Sequence, residues 1–251
     1  MKYERNFLSQ VVLRIDYPRV ADIASERRPA LMASVAEDFP QITGLPQAQI
    51  QFTVALDRPV VDQRIVGYTW FAKDDTGNKC IELTTESLSL MNLNRSFTNF
   101  DDFFGQFSEI YESFEDTYQV NEFTRVGLRY INQVDLDQGN ALDWNGYLSD
   151  EVIHATISRI PERFALSRSM HQVVSSHNDV TLVANYGIHN PDFPAPAVRR
   201  QFILDFDCYI TGAVNRDAML RRVADLNDVC ENAFEASIEA RLRDAMGVVR
   251  D

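Results

Sequence analysis

Apolar residues alternate with polar ones in some stretches of the chain and recur at three- and four-residue steps in others. The two periods mark strands and helices respectively. From Phe7 to Asp16 (FLSQVVLRID) aliphatic and β-branched residues predominate, with Pro18 close behind, which predicts a strand. Ile23, Leu31, Val35 and Phe39 suit a helix over Val20–Phe39, broken at Pro29, where the missing N–H interrupts the hydrogen-bond ladder. Strands follow over Ile50–Leu56, Ile65–Ala72 and Lys79–Asn92. The last two are joined by Lys73–Asn78 (KDDTGN), whose Asp and Gly residues fit a hairpin connection. A helix is predicted from Asn99 to about Tyr118, with Phe103, Phe107, Ile110, Tyr111 and Phe114 as its apolar stripe.

The same order then recurs. Phe123–Leu136 reads as a strand, Asn145–Ile160 as a helix closed by Pro161, and Ala165–Val174, Val180–His189 and Arg200–Ala213 as strands. Ser176–Asp179 (SHND) supplies a tight turn between the first two of those strands. A final helix runs from the capping residue Asn215 to about Met246, with Gly247 at its C-terminal stop. Leu220, Val223, Cys230, Phe234, Ile238, Leu242 and Met246 form its stripe, and Glu235 falls on the neighbouring face. Corresponding strands lie roughly 115 to 120 residues apart. The chain therefore reads as α+β, a duplicated β-α-β-β-β-α unit with halves at 1–120 and 121–251 that share one joint domain. A mostly antiparallel sheet with helices on one side satisfies both halves. That ordering resembles the helix-grip and TATA-binding-protein architectures, a likeness of fold that carries no function.

Composition bounds the function classes. The 251 residues are 45% hydrophobic and 24% charged, ordinary values for a globular chain. The net charge of −13 disfavours nucleic acid and anionic lipid, since the summed field repels polyanions. Ser9, Gln10 and Arg14 interrupt Phe7–Ile15, so no signal-peptide core is expected there, and no run approaches the ~20 apolar residues of a spanning helix. Cys80, Cys208 and Cys230 form no CxxC pair and read as reduced thiols. These features predict a cytoplasmic protein without a membrane partner.

The segment Arg125–Asn132 (RVGLRYIN) resembles the signature of a sporadically distributed family of uncharacterised bacterial proteins. The C-terminal helix is similar too, through Leu226, Phe234, Ile238, Leu242 and the Met246-Gly247 ending. That family often carries a histidine after the helix leucine, where this chain has Asn227. The resemblance implies an accessory bacterial setting, such as phage defence, with a protein partner encoded nearby. It implies no mechanism.

Four constellations could carry chemistry. Arg125, Gly127 and Arg129 share one strand face, where Gly127 leaves a notch in which an anionic small molecule or nucleotide could meet two guanidinium forks. The alternative is that both arginines brace the sheet by pairing with helix carboxylates such as Glu112 or Glu115. Asp205 and Asp207 share a strand face and could hold Mg²⁺ for a hydrolase or nuclease, or could simply solvate that face. His171, His177 and His189 fall on one hairpin, with His177 at its tip and His171 opposite about Ala184, too spread for zinc. Phe193 stands in the proline-rich loop Asn190–Ala197, either as a protein-contact aromatic or tucked against the sheet edge. No nucleotide-binding, nucleophile-elbow or zinc-protease motif is present. No cofactor and no metal are expected. The leading expectation is a non-enzymatic binding or sensing protein acting through protein contacts, with homo-oligomerisation left open.

Overall fold

A computed structural model describes residues 3–25, 28–55, 58–136, 139–157, 161 and 163–248, with backbone alone at 25 and 49–64. Its strands are β1 (Leu8–Asp16), β2 (Gln41–Ala55), β3 (Arg58–Lys73), β4 (Lys79–Leu83), β5 (Ser87–Asn92), β6 (Glu122–Leu136), β7 (Ser169–His177), β8 (Val180–Ile188) and β9 (Arg200–Asn215). Its helices are α1 (Ala21–Ser25), α2 (Ala30–Ser34), α3 (Phe100–Tyr118), α4 (Asp150–Thr156), α5 (Arg216–Ser237) and α6 (Ala240–Met246). The strands make one large open antiparallel sheet in the order β2-β3-β4-β5-β1-β6-β9-β8-β7. Two compact units divide the chain. One comprises Met1–Val11, Gly127–Ile210 and Arg221–Asp251, the other Val12–Val126 and Thr211–Leu220.

In the second of these units, α3 carries the expected stripe, with Phe103, Phe107, Ile110, Tyr111 and Phe114 all buried. Its first turn is fixed by Asn99, whose side chain accepts the Asp102 N–H at 2.8 Å. Tyr17 packs on Phe114 with ring centroids 4.9 Å apart, and Tyr111 meets Phe123 edge-on at 5.8 Å. Pro29 separates α1 from α2 as its chemistry requires. The stretch Lys79–Asn92, expected as one strand, is two. Thr84 and Ser87 close a turn through the Thr84 N–H to Ser87 carbonyl bond at 2.9 Å, and the Thr84 hydroxyl accepts the Glu86 N–H at 3.1 Å. Strand β2 begins at Gln41, earlier than expected, since Gly44 and Pro46 hide its pattern.

The other unit is built on β9, whose Phe202, Leu204, Phe206, Cys208 and Ile210 are buried and face the core alternately with outward residues. Helix α5 lies on that inner face. The Cys230 thiol points at the Leu128 and Phe206 carbonyls at 3.7 and 3.8 Å, and the Tyr130 hydroxyl donates to Asn227 at 2.5 Å. Asn227 thus has a packing role, donating in turn to Glu231 at 3.2 Å. The neighbouring Cys230 thiol lowers the Cys208 pKa, while Cys208 together with burial raises that of Cys230.

The long C-terminal helix is interrupted. The Ser149 N–H donates to the Ser237 carbonyl at 3.0 Å and the Glu239 N–H to Tyr147 at 2.9 Å, so the 145–149 segment enters the helical ladder and splits α5 from α6. The same insertion delays α4 to Asp150, where Ser149 caps it, while the expected end at Ile160 lies outside the described residues. Phe234, placed in the buried stripe by its spacing, is only half-buried, and Leu226 takes the core position. Glu235 is engaged as well, accepting from Tyr3 at 2.5 Å and from Arg243 at 3.1 Å.

Candidate protein-contact site

Two loops flank the start of β7 and the end of β8. The Ala197 N–H donates to Leu166 at 2.8 Å, and the Asn190 amide donates to Ser167 at 2.9 Å and Ala195 at 2.7 Å, so the loops are stitched to one another. The 190–197 loop is also held locally by the Ala195 N–H to Asp192 carbonyl bond at 3.0 Å. On this braced backbone stand three large apolar side chains that the core does not cover, Phe164 at 74%, Phe193 at 56% and Val198 at 72% exposure. The Arg168 guanidinium lies 5.9 Å from the Phe193 ring centre, a cation–π contact that fixes the ring without burying it. A cavity of about 220 Å³ opens beside it, lined by Arg168, Met170, Ile188, His189, Asn190 and Ile203. Phe193 is therefore presented to solvent, not tucked away.

The arginine and aspartate faces turn out to be one feature. Arg125, Gly127 and Arg129 alternate on β6 with the inward Val126, Leu128 and Tyr130. Arg125 belongs to one compact unit, and Gly127 and Arg129 to the other. Arg129 forks onto Asp205, Nε to Oδ1 at 2.8 Å and Nη2 to Oδ2 at 2.7 Å. That bond, set against the burial that opposes it, raises the Arg129 pKa further. Glu115 is spoken for elsewhere, since it meets Arg216 at 3.1 Å. The brace for Arg129 is therefore a strand aspartate, not a helix glutamate. Asp205 is buried at 6% exposure, so it does not solvate its face as Asp commonly does.

The network continues outward. Asn185, the register partner of Asp205, donates to Oδ2 at 3.0 Å, and Gln172, the register partner of Asn185, donates to it at 2.8 Å. The donor directions are forced. Arginine only donates and an ionised aspartate only accepts, so Asn185 must offer its amide nitrogen to Asp205 and its oxygen to Gln172. A polar ladder Arg129–Asp205–Asn185–Gln172 thus crosses four strands and ends at the sheet edge.

The histidine hairpin closes through Asn178 and Asp179, with Asn178 at φ +54° in the left-handed region that a two-residue turn demands. His177 is the last paired residue, not the tip, and His171 lies opposite Tyr186, two positions from the expected Ala184. Among the described residues no three His, Cys, Asp or Glu side chains converge on a metal position. None of the helices described is long and apolar enough to cross a membrane.

Fold and site together define an α+β protein whose antiparallel sheet offers polar and apolar surface outward at one end. No protein-family model matches the chain, and no curated protein matches it significantly.

Proposed function

We propose that this is a non-enzymatic binding or sensing protein of the bacterial cytoplasm that acts through protein contacts, with Phe164, Phe193 and Val198 as the docking patch. The observation that supports this most is the exposure of those three side chains on two loops held rigid by mutual hydrogen bonds. Single exposed apolar residues are ordinary, but exposed aromatics on two loops tied to one another suit a protein interface and lose little entropy on docking. The resemblance carried by Arg125–Asn132 supports an accessory setting such as phage defence, with the partner encoded nearby. The arginine-lined small-molecule reading is less well supported, because the Arg129 fork is already spent on Asp205.

The strand order also supports the reading of the chain as a duplicated unit. Each half runs through a first strand, a helical segment and a three-strand meander that ends beside the first strand, with β5 next to β1 and β9 next to β6. A helix then follows, α3 in one half and α5 in the other, while β2 is an addition to the first half.

Co-expression with the proteins encoded beside the gene tests the docking patch. One neighbour should co-purify with the wild type and bind the Phe164→Ser/Phe193→Ser variant at least about tenfold more weakly. Both side chains are already exposed, so the variant should keep its fold. Equal retention by both proteins, or no retained neighbour, contradicts the reading.

A further inference from the structure

The two outermost strands of the sheet are guarded very differently. Strand β2 carries Pro46 and a register shift at Gln47/Ala48, two devices that stop an edge from pairing with another strand. Strand β7 has neither. Its register with β8 is unbroken from Ser169 to His177, and it contains no proline, lysine, arginine, aspartate or glutamate. The whole twenty-residue hairpin Ser169–Ile188 holds one formal charge, Asp179, where the chain's 24% charged content would put about five. That one carboxylate is paired with Arg222 at 2.6 Å. From Gln172 to His177 the strand is exposed on both faces, Val173 at 42% and Val174 at 59%. A neutral edge with an unbroken register, on a chain of net charge −13, is a place where a second copy can approach with little like-charge repulsion.

We propose that β7 pairs antiparallel with β7 of a second copy of this chain, in the register that sets Gln172 opposite Gln172. The polar ladder selects this register. Gln172 uses one amide proton on Asn185, and its second amide proton and its oxygen have no partner among the described residues. Across a two-fold axis two such carboxamides complete one another, each donating to the other's oxygen. The ladder then runs unbroken from Arg129 of one copy to Arg129 of the next. The same register puts Met170 opposite Val174 on the outer face, His171 opposite Val173 on the inner face, and Ser169 opposite Ser175. Every pair is chemically compatible. A one-residue slip would set Gln172 against His171 or Val173 and leave its amide unspent.

This inference is separate from the Phe164/Phe193 patch, and the two can fail independently. Sedimentation velocity on the full chain should give twice the 28.7 kDa chain mass at micromolar concentration. Val174→Glu, at a side chain already exposed, should weaken the dimer at least about tenfold while the circular dichroism and melting temperature hold. Gln172→Cys should form an intermolecular disulfide quantitatively under a mild thiol oxidant, and Ser176→Cys should not; the native cysteines are buried and do not compete. A wild type that sediments as a monomer overturns the proposal, even if a different protein's strand then adds to β7 and the docking patch still binds. A dimer that ignores Val174→Glu overturns it too, and one that crosslinks through position 176 but not 172 overturns the register.

Discussion

The Arg129–Asp205 fork decides what the outer face of β6 and β9 can do. Two charge-assisted bonds to one carboxylate are worth about 1.5–3 kcal/mol in a sheltered setting. Arg129 keeps 44% of its side chain exposed, so solvent screening reduces this to about 1–2 kcal/mol. Asp205→Ala should lower the unfolding free energy by about that amount in urea titrations. Arg129→Lys, which keeps the charge but not the planar fork, should lose roughly half of it. A neutral Asp205→Ala variant would show that the ladder carries no stability. The residues of this ladder were all visible in the sequence, and period-two alternation correctly put Arg129 and Asp205 on strand faces. What the sequence did not contain was the β6–β9 adjacency that brings Arg129 and Asp205 together as a pair. Gln172 and Asn185 are silent in the sequence, because a single amide on a strand carries no signal until its register partner is known.

At the level of elements, periodicity found helices well and their interruptions poorly. The α3 stripe matched the buried set residue for residue, since a free-standing amphipathic helix exposes its pattern directly. The α5–α6 break was illegible because Ile238, Leu242 and Met246 continue the three- and four-residue steps across it. The cause lies in backbone bonds from Tyr147 and Ser149, nearly a hundred residues earlier. Phe234 was misplaced for a related reason: spacing gives the stripe but not which side of it a covering segment reaches. The burial predicts an order of effects. Leu226→Ala, at a fully buried position, should cost about 2–5 kcal/mol. Phe234→Ala, at a half-buried position, should cost less than the ~3–5 kcal/mol of a fully buried phenylalanine and fall below the leucine change. Thermal and urea unfolding of the two variants measure this, and the reverse order would mean that α5 packs by its other edge.

For the whole molecule, the sheet concentrates rigid polar hydrogen bonding inward from β7 and leaves apolar surface on the loops beside it. Of the charged groups singled out in the sequence, Arg129 and Asp205 are bonded to one another in a bidentate pair. In the function proposed above, Phe193 stands where a protein partner docks. Its most direct test is site-specific photo-crosslinking in cells, with a benzophenone amino acid at position 193 and, as a control, at the exposed Glu112 of α3. One discrete crosslinked species should form from position 193, with a partner protein identifiable by mass, be lost when Phe164→Ser is added and be absent from position 112. No crosslink above the control at position 193, or the same products from both positions, would contradict it.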